Sequence, residues 1–172
     1  MKVDDVLTFI GYFEDIPYLT SQFLDVNMRL FRTSESYKKI ILVICNEIKF
    51  LALSYHEGYG QPFGMSGANI GIPLNIIGIV HNRKTFKADC EIMINPEIMN
   101  FSKTKTIALS NCGSIRLEKS IQVYRYDWVE VAWFDEKGSR KHKVFTKEQE
   151  GFTVQHEIDH NQGILITGRE IK

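Results

Sequence analysis

Residues 155–163 read Gln-His-Glu-Ile-Asp-His-Asn-Gln-Gly, and no other stretch constrains the fold as tightly. On a helix, His156 and His160 lie four residues apart and share one face. Two imidazoles so placed can grip one divalent cation, and Glu157 beside the first can take a proton from a water on that ion. A catalytic metal commonly has three protein ligands and one open position, so the fold must carry a third donor onto this helix. The two downstream arrangements used by metalloproteases fail on the residues. Only Glu170 remains as an acid beyond His160, close to the end of the sequence. The extended His-Glu-x-x-His-x-x-Gly-x-x-His pattern finds Gly163 but ends on Ile166, which cannot ligate. The third donor therefore comes from upstream.

Its candidates are Cys45, Cys90, Cys112, His56, His81 and His142. Cys45 sits in an apolar helical run and Cys90 at the start of a strand-like run, where a free Cys is usually core. His56, near a helix end, favours the C-terminal dipole. His81 and His142 read as surface loop or strand residues. Cys112 lies in Ser-Asn-Cys-Gly-Ser, where a strand breaks at small residues and the backbone can approach another group closely. On spacing alone Cys112 ranks first, with the others left open.

The rest of the chain is read as an α+β fold, with mainly antiparallel sheets around the C-terminal histidine helix. From Glu35 to about Glu57, Ile40, Ile44, Ile48, Leu51 and Tyr55 recur at helical spacing, with Ser34 or Ser36 to cap the helix and Gly58 to stop it. A Gly- and Pro-containing loop follows. Strand-like runs come next: NIIGIV, CEIMIN, TIALSNC, IQVYRY and WVEVAWF. A DEKG turn then returns through RKHKVF, and the last helix is expected to begin near Thr146. No repeat or linker suggests a boundary, so residues 1–172 are taken as one domain, the first 35 being hard to assign.

With 21 basic and 21 acidic residues the formal charge is zero, and no recognised nucleic-acid motif is visible. No apolar run is long enough to span a bilayer, and acids inside the first apolar stretch read poorly as a signal peptide. Three cysteines and no secretory signal point to a reducing cytoplasm. No nucleic-acid or membrane partner is expected.

Three stretches in order resemble the peptide deformylase family: FGMSGANIGIPLNI for the loop that usually reads Gly-x-Gly-Leu-Ala-Ala-x-Gln, SNCGSI for Glu-Gly-Cys-Leu-Ser, and QHEIDHNQGIL for the metal helix. INPEI between them is also typical, and the resemblance covers roughly residues 38–170. It implies a deformylase-like α+β fold. Cys112, His156 and His160 would bind one divalent metal, with water fourth; iron(II) is favoured, and zinc, nickel or cobalt can substitute. Glu157 would be general base and then acid. The Gly113 N–H and a side chain in the first loop, here Asn69, would face the oxyanion. Phe63, Gly64 and Met65 would pair with the substrate as an added strand. The substrate would be an N-formyl-methionyl peptide, encountered on ribosomal nascent chains.

The departures concern the frame. Asn69 replaces Gln, Ser66 and Gly67 replace paired alanines, and Pro62 replaces Gly. Ser110, Asn111 and Gly113 replace Glu, Gly and Leu around the Cys, and Arg116 replaces Pro. They keep two alternatives open: an amidase of the same fold with another N-acyl substrate, and a catalytically weak relative that binds metal or peptide. Asp159 is read as either an orienting group or an exposed helix acid, and Arg125 as either near the cleft or in a surface pair.

Overall fold

A computed structural model describes residues 23–59, 64–81, 88–115 and 119–171, with the backbone alone for 55–59. Expectations for residues 1–22, 60–63, 82–87, 116–118 and 172, among them those for Phe63, Pro62 and Arg116, lie outside the described residues. The elements run α1 (Met28–Thr33), α2 (Glu35–Tyr59), β1 (Gly64–Ser66), β2 (Ile76–His81), β3 (Asp89–Phe101), β4 (Lys105–Ser110), β5 (Ile121–Tyr126), β6 (Trp128–Phe134), β7 (Arg140–Thr146) and α3 (Gly151–Asn161). Short 3-10 turns cover Gly67–Ile70 and Ile166–Arg169. One sheet has the order β1-β2-β3-β6-β7 and a second pairs β4 with β5, every strand pair being antiparallel.

β2, inside the five-stranded sheet, is buried on both faces, which explains why NIIGIV is apolar at nearly every position rather than alternating. Ile76 and Val80 of β2, with Cys90, Ile92 and Ile94 of β3, meet Ile41, Cys45, Ile48, Leu51 and Ala52 of α2. The intervening Ile77, Ile79 and Met93 meet Val154 and Ile158 of α3, joined by Val129, Val131, Trp133 and Phe145. A smaller cluster of Ala108, Cys112, Ile121, Val123 and Ile166 fills the space beneath the β4–β5 ribbon.

The helical reading of α2 holds, and Ser34 caps it, its hydroxyl accepting from the Tyr37 N–H at 3.4 Å. The buried stripe is shifted from the expected one. Ile41, Cys45, Ile48 and Ala52 face the sheet, and Ile40 is 60% exposed. The helix also runs one residue past Gly58, to Tyr59. The last helix starts at Gly151 rather than near Thr146, because Thr146 is committed to β7 opposite Trp128 and its carbonyl closes a turn with the Gln149 N–H. β3 is longer than CEIMIN. It bends at Asn95 (φ 53), whose carboxamide takes the Val26 N–H at 2.7 Å and donates to the Val26 carbonyl at 2.9 Å.

His81 corrects the surface reading. It ends β2 with Nε2 2.9 Å from Glu91 and Nδ1 3.5 Å from Glu150, which precedes α3. The Glu91 hydrogen bond raises the pKa of the ring; burial and Lys143 oppose it, and the charges of Glu150 and Glu91 add to it. A raised folded value means the protonated ring stabilises the fold. That contribution is complete below the unfolded value of about 6.5 and is lost as pH rises through the folded value. Thermal melts from about pH 6.5 upward are therefore expected to show a decline that His81→Gln removes.

Candidate metal centre

α3 lies between the two sheets, with Val154 and Ile158 in the core and its polar residues toward β5 and the turn after β4. Gln155 fixes that placement. Its Oε1 accepts from the Tyr126 N–H at 2.9 Å and its Nε2 donates to the Tyr126 carbonyl at 3.0 Å, as a neighbouring strand would. The turn after β4 then brings Cys112 against the helix. Cys112 Sγ stands 3.4 Å from His160 Nε2, and His160 Nε2 stands 3.1 Å from His156 Nε2. One donor atom from each of the three lies within 4.8 Å of the others.

These separations test whether an ion fits. Tetrahedral ligation with bonds of about 2.3 Å to sulfur and about 2.0 Å to nitrogen puts the donor atoms about 3.3–3.5 Å apart. The Cys112–His160 and His160–His156 spacings are close to these values, and the donor set is one that zinc or ferrous iron accepts. Burial holds His156 well below the ordinary imidazole value and pushes His160 down to about 4, so both rings are in the neutral form that ligates. Burial raises the Cys112 thiol, opposed by hydrogen bonds from the Ser114 backbone and hydroxyl and the Ile115 backbone. Cys45 and Cys90 are remote from this group and buried in the α2 core, where burial pushes both thiols up to about 12. His81 and His142 are occupied by carboxylates elsewhere.

Glu157 is buried beside the cluster, and its Oε2 has no hydrogen-bond partner among the described residues. Burial pushes this carboxyl up to about 8. A carboxyl so poised exchanges protons near neutrality.

The sequence model of the polypeptide deformylase family matches residues 22–171. The chain belongs to the polypeptide deformylase family. The peptide deformylase of Afipia carboxidovorans is 32% identical over 143 residues, 80% of this chain and 78% of that relative. The fold agrees with the deformylase of Synechococcus elongatus in complex with actinonin (TM-score 0.73, 23% identity, 94% of this chain and 79% of that one). It also agrees with the Met-Ala-Ser-bound class I type b deformylase of Acinetobacter baumannii (TM-score 0.69, 22% identity, 88% and 91%). The function is the family's: a metal-dependent hydrolase with peptide deformylase activity. The match begins at residue 22, upstream of the region in which the resemblance was legible by eye.

Within this deformylase the remaining site residues fall as follows. Gly64 opens β1 directly against Glu157: a Cβ there would stand 2.6 Å from the Glu157 Cδ and Oε1. Met65 turns its side chain into the α2 core, so only its backbone is open to a cleft. Among the described residues no acceptor takes the Gly113 N–H. Asn69 is bonded to Ser66 and Ser114. Asp159 and Arg125 are both buried and paired, Nη1 to Oδ2 at 2.5 Å, so neither is a surface group. Three contributors went unread in the sequence: Ser114, Arg169, whose Nη2 stands 2.7 Å from Asp159, and the strand-like contact of Gln155. Ser114 stands at the Ser of the Glu-Gly-Cys-Leu-Ser pattern, and that match was the signal available for it.

Gly64→Ala is expected to lower Tm and to force the Glu157 side chain aside, because its Cβ would overlap the Cγ of that buried side chain as well as its Cδ and Oε1. It should lower kcat about 100-fold by displacing that carboxylate. Steady-state kinetics beside a thermal melt checks both halves.

Proposed function

We propose that the chain removes the formyl group from the N-terminal formyl-methionine of newly made polypeptides, in the cytoplasm, with iron(II) held by Cys112, His156 and His160. The observation that carries this reading is the convergence of one sulfur and two neutral imidazoles beside a buried carboxyl with an unpartnered oxygen. A divalent ion held by Cys112, His156 and His160 would lower the pKa of a water toward about 7 and polarise a carbonyl. Glu157, buried beside the donor atoms, would accept the water's proton and pass it to the departing amine. The Gly113 N–H faces the oxygen on which negative charge develops. β1 pairs with β2 on one edge only among the described residues, so Gly64 and Met65 offer backbone groups to an incoming peptide as an added strand. Products are formate and a peptide with a free N-terminal methionine.

The test is release of formate from formyl-Met-Ala-Ser by iron- or cobalt-loaded protein, with metal content measured on the same sample. Turnover that disappears on chelation and returns with the metal supports the reading. Turnover confined to another N-acyl group shifts it to an amidase of different substrate, and tight peptide binding without turnover shifts it to a binding role.

A further inference from the structure

Asn69 occupies the loop position where the family carries Gln, and its shorter side chain is engaged inside the protein. Ser66 N–H donates to Asn69 Oδ1 at 2.7 Å and Ser66 Oγ at 3.0 Å, while Asn69 Nδ2 donates to Ser114 Oγ at 2.6 Å. The backbone N–H of Ser66 can only donate, so the atom facing it must be the carboxamide oxygen, and the amide nitrogen is thereby aimed at Ser114. Ser114 is 1% exposed and Ser66 is 0% exposed, so water does not compete for these groups. The Ser114 oxygen accepts from Asn69, and Ser114 stands two residues after Cys112 in the same turn after β4. The 3-10 turn that presents Asn69 is itself fixed. Ser66 and Asn69 form a capping box around it, and a Cβ at Gly67 would meet the Ile72 and Leu74 carbonyl oxygens at 2.7 Å.

We propose that Asn69 is a positioning residue that acts on the sulfur ligand through Ser114, with Ser66 as its anchor. The hydrogen-bond chain runs Ser66 to Asn69 to Ser114, in the turn that carries Cys112. It sets the direction of the sulfur and ties the β1 loop to the turn after β4. This accounts for two departures together: a shorter residue at 69 is matched by a hydroxyl at 66, which the paired alanines of the family lack. The proposal rests on the reading of Cys112 as a metal ligand.

Cobalt(II)-loaded wild type, Asn69→Ala, Ser114→Ala, the double variant and Cys112→Ser would be compared by chelator competition and by the near-ultraviolet sulfur-to-cobalt band. Asn69→Ala and Ser114→Ala are each expected to lower cobalt affinity about tenfold or more and to shift that band. The double variant should be no worse than the weaker single one. KM should change little beside kcat. Unchanged affinity and band in Ser114→Ala overturns the proposal, and so does Asn69→Ala that loses kcat alone, which is the behaviour of a donor to the reacting carbonyl. Ser114→Ala removes one oxygen and keeps the turn, so the outcome does not depend on the Asn69 variant folding. Cys112→Ser with unchanged affinity and band would show instead that the ligand assignment underneath is wrong.

Discussion

Glu157→Gln is expected to lower kcat on formyl-Met-Ala-Ser by about 10²–10⁴-fold, with the metal still bound. The amide has the shape of a protonated carboxyl but cannot receive a proton, so the substitution tests chemistry rather than packing. Stability should move the other way. In the metal-free protein burial pushes Glu157 up to about 8, against an ordinary carboxylate value of 4.5. A raised folded value means that ionisation is opposed by the fold, so stability is lost as pH rises through that range. Glu157→Gln removes that loss, and the metal-free variant is expected to melt no lower than wild type near pH 7.5. Kinetics, metal content and a melt on one preparation separate these effects. A variant that still turns over at near wild-type rate would assign the proton transfers to another group.

Arg125→Met is expected to destabilise the fold by about 3 kcal/mol, or roughly 6–12 °C in Tm. Arg125 is buried, and its partner Asp159 lies on α3 between His156 and His160. Removing the guanidinium leaves the carboxylate with Arg169, whose side chain is 43% exposed and compensates only in part. Because Asp159 is one residue from the candidate ligand His160, the same variant should also weaken metal retention. Arg125→Met/Asp159→Leu takes both charges out of the interior and should recover part of the loss in denaturant unfolding. Full additivity of the two single changes would show that the pair is not coupled.

Local pattern carried most of the architecture. WVEVAWF and RKHKVF around DEKG are β6 and β7 with a turn, because alternation and turn chemistry act over a few residues. The Asp135 carboxylate accepts from the Lys137 and Ser139 N–H groups at 2.9 and 2.8 Å to close that turn. Ile40 misled because apolar residues lie on more than one face of α2, and only the sheet decides which face is covered. The centre was legible where its residues share a helix, as His156, Glu157 and His160 do. Cys112 required a resemblance to rank it firmly. The contacts of Asn69 with Ser114 and of Asp159 with Arg125 were not legible, since each joins residues more than thirty positions apart through side chains common on any surface.

Cys112 lies in the connection between β4 and β5, whereas His156 and His160 belong to a helix seated on the five-stranded sheet. Two strands alone are marginally stable. An ion shared between these parts is thus a rivet as well as a reagent, and its withdrawal should be felt as breathing. On chelation, amide hydrogen exchange is expected to quicken across Lys105–Ser110 and Ile121–Tyr126 well before it quickens in Ile76–His81.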